Sequence, residues 1–278
     1  MTHLVRKTSI SSTALQLITA ILIFFAILCV LSVSADKVVI YFYSSETSIN
    51  NFKSLKMQFD RYLAKFGPYE FQPFSEREAF EKHVKGKGHC LLLLSSWHYQ
   101  QIRKDYDLTP VLIGLRDGKK YQKRVLVAGA GASGIDALKT ERIASASTLQ
   151  HTNSVLREML KERFSADFLR ILTVPKDIDA LMSVGFGMSK LALSTTNCLE
   201  ELKKVNPKLC EKMNVLAEGK ESLLLILAVP RDFAEGAKEM VRIIEEMSKD
   251  PDGKQNIRML GLDGWQGLDP SEKSKLVT

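Results

Sequence analysis

Val38, Val39, Ile40, Tyr41 and Phe42 form an unbroken apolar run between Lys37 and Tyr43. Such a run predicts a strand buried on both faces, the state of strands in a parallel sheet covered by helices. Phe52, Leu55, Phe59, Leu63 and Phe66 then recur at spacings of three and four, one face of a helix that Gly67-Pro68 ends. Ser75 and Glu78 carry the spacing of a capping box for a helix bearing Phe80 and Val84. Cys90 to Leu94 is a second apolar run, and strand, helix, strand in that order is the pattern of a parallel α/β sheet.

Val111 to Leu115 and Lys123 to Ala128 are strand-like runs separated by Arg116-Asp-Gly-Lys119, in which Asp-Gly signals a reverse turn. A second βα series follows. Arg142 to Ser145 reads as a strand, and Val155, Leu156, Met159, Leu160 and Phe164 mark a helix. Next come a strand from Ile171 to Val174, a helix from Asp177 to about Phe186, a short strand from Leu191 to Leu193, a helix from Thr196 to Val205 and a strand from Met213 to Ala217. Leu223 to Val229 is another long apolar run, and Met240, Val241, Ile244 and Met247 predict a helix before a short segment around Trp265.

The start of the chain departs from this pattern. Arg6 and Lys7 precede an apolar run from Ala14 to Val33, and the small residues of Val33-Ser-Ala35 follow. Basic, apolar, then small is the order of a secretory signal. The run is also long enough to cross the roughly 30 Å core of a bilayer as an uncleaved anchor. Residues 1–35 are therefore read as a signal peptide or membrane anchor, with the remainder outside the cytoplasmic membrane.

Of the 278 residues, those after Ala35 are many for one core and few for two independent domains, so two interleaved lobes suit them. Without Arg6 and Lys7 the formal net charge falls from +7 to +5, spread along the chain. That distribution attracts anions but lacks the basic stripe of a nucleic-acid binder. Cys90 reads as a buried thiol, whereas Cys198 and Cys210 have a spacing open to either a disulfide or two free thiols. The sequence shows no Cys/His spacing of a metal site and no catalytic constellation, so no enzyme, metal or cofactor is expected.

Thr173-Val-Pro-Lys-Asp-Ile-Asp-Ala-Leu-Met-Ser-Val-Gly-Phe-Gly-Met188 and Leu199-Glu-Glu-Leu-Lys-Lys-Val-Asn-Pro207 resemble the second lobe of phosphate/phosphonate-type periplasmic solute-binding proteins of ABC transporters. Val38-Val-Ile-Tyr-Phe-Tyr43, Leu91-Leu-Leu-Leu-Ser-Ser96 and Pro110-Val-Leu-Ile-Gly-Leu-Arg-Asp-Gly-Lys119 fit the first lobe and the crossing into the second. The resemblance implies an α/β, two-lobed periplasmic-binding-protein-like fold of type II with two crossing hinge strands, placed near Val111 and Leu223. Lobe 1 would comprise residues 36–128 and 223–278, and lobe 2 residues 129–222. It also implies a monomer in the periplasm that captures a small anionic or polar, phosphate- or phosphonate-like solute in the interlobe cleft for an ABC permease. The alternative is a membrane-tethered sensory or interaction domain of the same fold.

Open α/β sheets bind ligands beyond the carboxyl ends of their strands, where helix N-termini present free N–H groups. Three such junctions carry hydroxyls: Ser44 and Ser45, Ser95 and Ser96, and Ser145, Ser147 and Thr148. Together with Tyr41, Tyr43 and Trp97 they form the candidate ligand site. Taken singly, each Ser or Thr is as well explained by helix capping. His98 reads as an exposed helix position, Lys190 as a surface lysine, and Asp177 and Asp179 as the acidic start of a helix. In the segment Ser145 to Asn153, Ser-Ala-Ser-Thr-Leu-Gln-His-Thr-Asn stands in place of the compact Ser/Thr-Ser-Gly loop of the best-known phosphonate binders.

Gly129-Ala-Gly-Ala-Ser-Gly134 matches G-x-G-x-x-G after the apolar run Val125 to Ala128. An NAD(P)-dependent oxidoreductase built on it would need a full helix at the glycines and an acidic residue about 20 residues on. The next strand-like run begins too soon at Arg142, and Leu149 to Asn153 offers no carboxylate, so a linker is the better reading.

Overall fold

In the computed structural model, which describes residues 37–47, 49–132, 134–164 and 169–276, the apolar runs become the centres of two sheets. The first sheet has the order β11-β4-β10-β3-β1-β2. Its strands are β1 (Val38–Tyr43), β2 (Tyr69–Pro73), β3 (Cys90–Leu94), β4 (Leu108–Leu115), β10 (Ile226–Pro230) and β11 (Gly264–Gly267). β1 pairs in parallel with β2 and β3, and β10 runs antiparallel to both β3 and β4. The second sheet, β7-β6-β8-β5-β9, repeats this plan. It comprises β5 (Tyr121–Ala128), β6 (Arg142–Ser145), β7 (Arg170–Thr173), β8 (Leu191–Thr195) and β9 (Asn214–Leu223). Here β6 pairs in parallel with β7 and β8, and β5 runs antiparallel to β8 and β9.

Helices cover these sheets: α1 (Phe52–Leu63), α2 (Arg77–Val84), α3 (Ser96–Ile102), α4 (Leu149–Leu160), α5 (Asp177–Gly185), α6 (Thr196–Val205), α7 (Pro207–Cys210), α8 (Lys238–Glu246), α9 (Pro251–Met259) and α10 (Pro270–Lys275). The first sheet carries a hydrophobic cluster on each face, and so does the second. That is why β1, β3, β8 and β10 read as continuous apolar runs rather than alternating ones. On one face of the first sheet Phe71 stacks on Phe59 and on Phe42, with ring centroids 4.1 and 5.8 Å apart.

The chain crosses between the sheets twice. The first crossing joins β4 to β5 through Arg116 to Lys120, where Asp117 and Gly118 have positive φ (50° and 68°) and Arg116 bridges to Lys119. The second joins β9 to β10 through Leu224 and Leu225. The two crossings are hydrogen-bonded to each other, Leu224 N–H donating to the Lys120 carbonyl at 2.9 Å and Gly114 N–H to the Leu225 carbonyl at 2.8 Å. The two lobes are thus joined by the turn at Arg116 to Lys120, beyond the Val111 expected for the first crossing, and by Leu224 and Leu225, next to the expected Leu223.

Several expectations are corrected. Tyr121–Ala128, assigned from the sequence to lobe 1 within 36–128, lies in the second sheet, because its backbone pairs with β8 and β9. The crossing therefore precedes Tyr121. β2 and α9 were not marked by the apolar spacing. The capping box expected at Ser75 does not form: Glu76 takes the cap position of α2 and makes no side-chain cap bond. The signal or anchor read at 1–35 lies outside the described residues. Among the described residues no helix is long and apolar enough to cross a membrane.

Candidate functional site

In each lobe the first parallel strand lies between the second and third, so the connections leaving neighbouring strand ends diverge to opposite faces and leave a crevice at their carboxyl ends. In lobe 1 these ends carry Ser44 to Thr47 after β1 and Ser95 to Trp97 after β3. In lobe 2 they carry Ser145 to Thr148 after β6 and Thr195 to Asn197 after β8. The lobes meet beside these ends: Asp177 N–H at the start of α5 donates to the Ser45 carbonyl at 2.8 Å, and Lys176 Nζ donates to Asn50 Oδ1 at 2.9 Å and to the Ile49 carbonyl.

The hydroxyls of the candidate site divide by role. In lobe 2, Ser145 Oγ lies 3.0 Å from Ser147 Oγ and 2.9 Å from Thr152 Oγ1, and Ser147 Oγ lies 3.0 Å from Thr152 Oγ1. This buried hydroxyl triangle sits at the N-terminal turn of α4, where N–H dipoles favour an anion. In lobe 1, Ser45 Oγ and Ser95 Oγ are buried with no hydrogen-bond partner, as is Trp97 Nε1. Unsatisfied buried hydroxyls cost roughly 1–3 kcal/mol each.

Four of the remaining candidates, Ser44, Thr148, Ser96 and Tyr41, are engaged by contacts within the fold. Ser44 Oγ accepts from Glu46 N–H at 3.1 Å in a local turn, and Thr148 caps α4 by accepting from His151 N–H at 3.0 Å. Ser96 Oγ donates to the Leu223 carbonyl at 2.6 Å, tying α3 to the hinge. Tyr41 packs against Phe74 and His83 in the lobe 1 core, with its ring contacts all in that lobe. Tyr43 lines an interlobe cavity of about 440 Å³ with Arg77, Ala146, Thr173 and Pro175, and burial pushes its phenol pKa upward.

Sequence reasoning missed the charges at the centre. Arg124, from β5, is buried, and its Nη1 donates to Asp177 Oδ2 at 2.8 Å while Nη2 donates to Glu46 Oε1 at 2.7 Å. Gln122 donates to the other Glu46 oxygen and accepts from Asn197 at 2.8 Å. Two carboxylates thus share one guanidinium away from water. Burial, only partly opposed by Arg124, pushes Glu46 up to about 7 and raises Asp177 as well. Asp177, read from sequence as a helix start, is therefore also a member of the cleft network. Glu46, Trp97, Arg124 and His151 border a second cavity of about 450 Å³ toward the hinge.

His98, expected on an exposed helix position, is fully buried; its Nε2 lies 2.9 Å from Glu81 Oε1, and burial lowers its pKa. Cys198 and Cys210 are both free thiols. The glycine-rich segment after β5 leads into a five-residue 3-10 turn, Ile135–Lys139, and then β6, so it does not open the helix a dinucleotide site requires. Among the described residues no cluster of His, Cys, Asp and Glu is arranged to hold a metal ion.

A family model described as the periplasmic substrate-binding protein of a phosphonate ABC transporter matches residues 40–272, and the chain belongs to that family. Its fold is shared by solved structures of low sequence identity. A binding-protein component of an ABC phosphonate transporter from Pseudomonas aeruginosa is 12% identical over 86% of this chain and 84% of its own, with a TM-score of 0.69. PhnD1 from Prochlorococcus marinus, solved in complex with methylphosphonate, is 17% identical over 86% of this chain and 95% of its own, with a TM-score of 0.66. A histidine kinase sensor domain with similarity to periplasmic binding proteins is 14% identical over 82% of this chain and 98% of its own, with a TM-score of 0.50. No relative is found among curated protein sequences.

Proposed function

We propose that this protein is a monomer working outside the cytoplasmic membrane, where it captures a small phosphonate- or phosphate-like anion between its lobes and delivers it to an ABC permease. What supports this reading is the Ser145, Ser147 and Thr152 hydroxyl triangle at a helix N-terminus of one lobe, together with the unpartnered Ser45 and Ser95 hydroxyls at strand ends of the other. Hydroxyl and backbone N–H donors grip an oxyanion from several directions without a permanent countercharge. The hydrogen-bonded pair of crossing segments is a suitable hinge for closing the lobes on it.

The test is a thermal-shift screen of the full chain against methylphosphonate, inorganic phosphate and sulfate. A ligand that binds only the folded state raises the melting temperature in proportion to the logarithm of its concentration above Kd. The reading requires a saturable rise with at least one of them and fails if none has any effect. The second reading, a tethered sensory domain, draws support from the apolar run Ala14 to Val33 and from the sensor-domain fold match. It requires anion binding with no stimulation of a cognate permease's ATPase.

A further inference from the structure

The Glu46–Arg124 pair is a buried ion pair that crosses between the lobes. Arg124 and its second partner Asp177 both belong to lobe 2, Arg124 on β5 and Asp177 at the first turn of α5, so their bond does not depend on lobe closure. Glu46 comes from the lobe 1 turn after β1 and reaches across to Arg124 Nη2. The same turn is pinned on lobe 2 by the Asp177 N–H to Ser45 carbonyl bond and by a Cys198 Sγ to Glu46 carbonyl contact at 3.8 Å. Both charges are nearly sequestered, with side-chain exposures of 7% for Arg124 and 5% for Glu46.

The charge balance here is unfavourable for an anionic guest. With both carboxyl groups ionised, two carboxylates against one guanidinium leave one excess negative charge, which in a desolvated crevice repels a third anion. Yet Arg124 is the buried guanidinium of this cluster, and its planar fork matches carboxylate and phosphate geometry alike. Glu46 presents to it the same chemistry a solute anion would, from the opposite lobe and from a turn directly beside the unpartnered Ser45.

We propose that Arg124 is the cation with which the cleft recognises its anionic solute, and that Glu46 is a resident carboxylate that must leave Arg124 before the solute can engage it. This rests on the solute-binding reading above and adds to it a competitor within the chain. Glu46 then sets specificity: solutes whose anion pairs with a guanidinium no better than a carboxylate does are rejected, because they gain nothing by displacement. Asp177 holds the arginine in place through the exchange.

Methylphosphonate and inorganic phosphate, titrated calorimetrically into the full chain, test this. Glu46→Gln retains the shape and the hydrogen bonds of the turn but removes the competing charge, and it is expected to tighten binding by about tenfold or more, equivalent to roughly 1.4 kcal/mol. Arg124 cannot be removed alone without stranding two buried carboxylates, so it is replaced in the neutral triple variant Glu46→Gln, Arg124→Gln, Asp177→Asn. That variant is expected to lose the gain and bind at least about tenfold more weakly than Glu46→Gln. Equal or weaker binding by Glu46→Gln than by the wild type overturns the proposal while leaving the solute-binding reading intact, as does a folded triple variant that binds as tightly as Glu46→Gln. If neither probe binds the wild type or Glu46→Gln, both fall together.

Discussion

Trp97 of the first lobe lies nearly flat on His151 of the second, ring centroids 5.0 Å apart and planes 23° from parallel. Trp97 follows β3 and His151 sits in the first turn of α4, so the stack exists only while the lobes are closed. The other tryptophan, Trp265, is buried in the lobe 1 core. In a Trp265→Phe background, Trp97 emission therefore reports closure. A conformational response to ligand is expected as a saturable change in its intensity that His151→Ala abolishes; emission indifferent to His151 would show that the rings do not meet in solution.

His151 also makes a pH prediction. Burial, reinforced by nearby Arg124, pulls its pKa from 6.5 down to about 3. The unfolded chain then binds the extra proton between these values, so the contribution of neutral His151 to stability is complete above pH 6.5 and is lost as pH falls toward 3. The melting temperature of the wild type should drop more steeply than that of His151→Gln between pH 6.5 and 4. Parallel curves would contradict the burial of this ring.

Glu46 acts in the opposite sense. It faces Arg124 and Gln122 from β5, Asp177 from α5 and Cys198 from α6, with Arg116 at longer range. Its pKa is raised from 4.5 to about 7, so the folded state holds a proton that the unfolded state releases. The stability gained from that proton is present below pH 4.5 and disappears as pH rises through 7. Relative to Glu46→Gln, the wild type should lose melting temperature across that interval. A constant difference between the two would show that Glu46 is not held in this desolvated site.

The division of the serines is testable residue by residue. Ser96→Ala removes the bond to the Leu223 carbonyl, and should cost about 1 kcal/mol of stability with anion affinity nearly unchanged. Ser147→Ala opens the hydroxyl triangle, and should weaken anion binding by about ten- to a hundredfold, the loss of one charge-assisted bond of roughly 1.5–3 kcal/mol. Chemical denaturation paired with ligand titration separates the two, and the reverse pattern would reassign the site.

In lobe 1, a Cβ added at Gly253 would lie 2.3 Å from the Met247 carbonyl oxygen, a backbone atom that cannot rotate away. Gly253→Ala is expected to destabilise the fold by about 1–3 kcal/mol through forced displacement of α9, read as a lower denaturation midpoint. An unchanged midpoint would contradict this packing.

Much of this architecture is legible in the apolar runs, because strands buried on both faces carry few polar residues. β1, β3 and the β9–β10 crossing declare themselves in this way. β2 does not: Tyr69-Glu-Phe-Gln-Pro is short, lies at the sheet edge and buries only Phe71 and Pro73. The helix-junction hydroxyls of the candidate site stand out because strand ends and N-caps have a local signature. Arg124 and Glu46 could not. In sequence Arg124 follows Lys123 like any solvated charge, and its burial depends on partners 78 and 53 residues away. Serines at such junctions also look alike: only the fold separates Ser96, bound to the hinge, from Ser95, whose hydroxyl has no partner.

The most direct measurement is a calorimetric titration of methylphosphonate into the wild type and into a Ser145→Ala, Ser147→Ala double variant whose folding is verified by circular dichroism. One solute per chain in the wild type, and at least a hundredfold weaker binding in the folded double variant, is the predicted result. Undiminished binding in the double variant would place the anion elsewhere and contradict the assignment of the interlobe crevice.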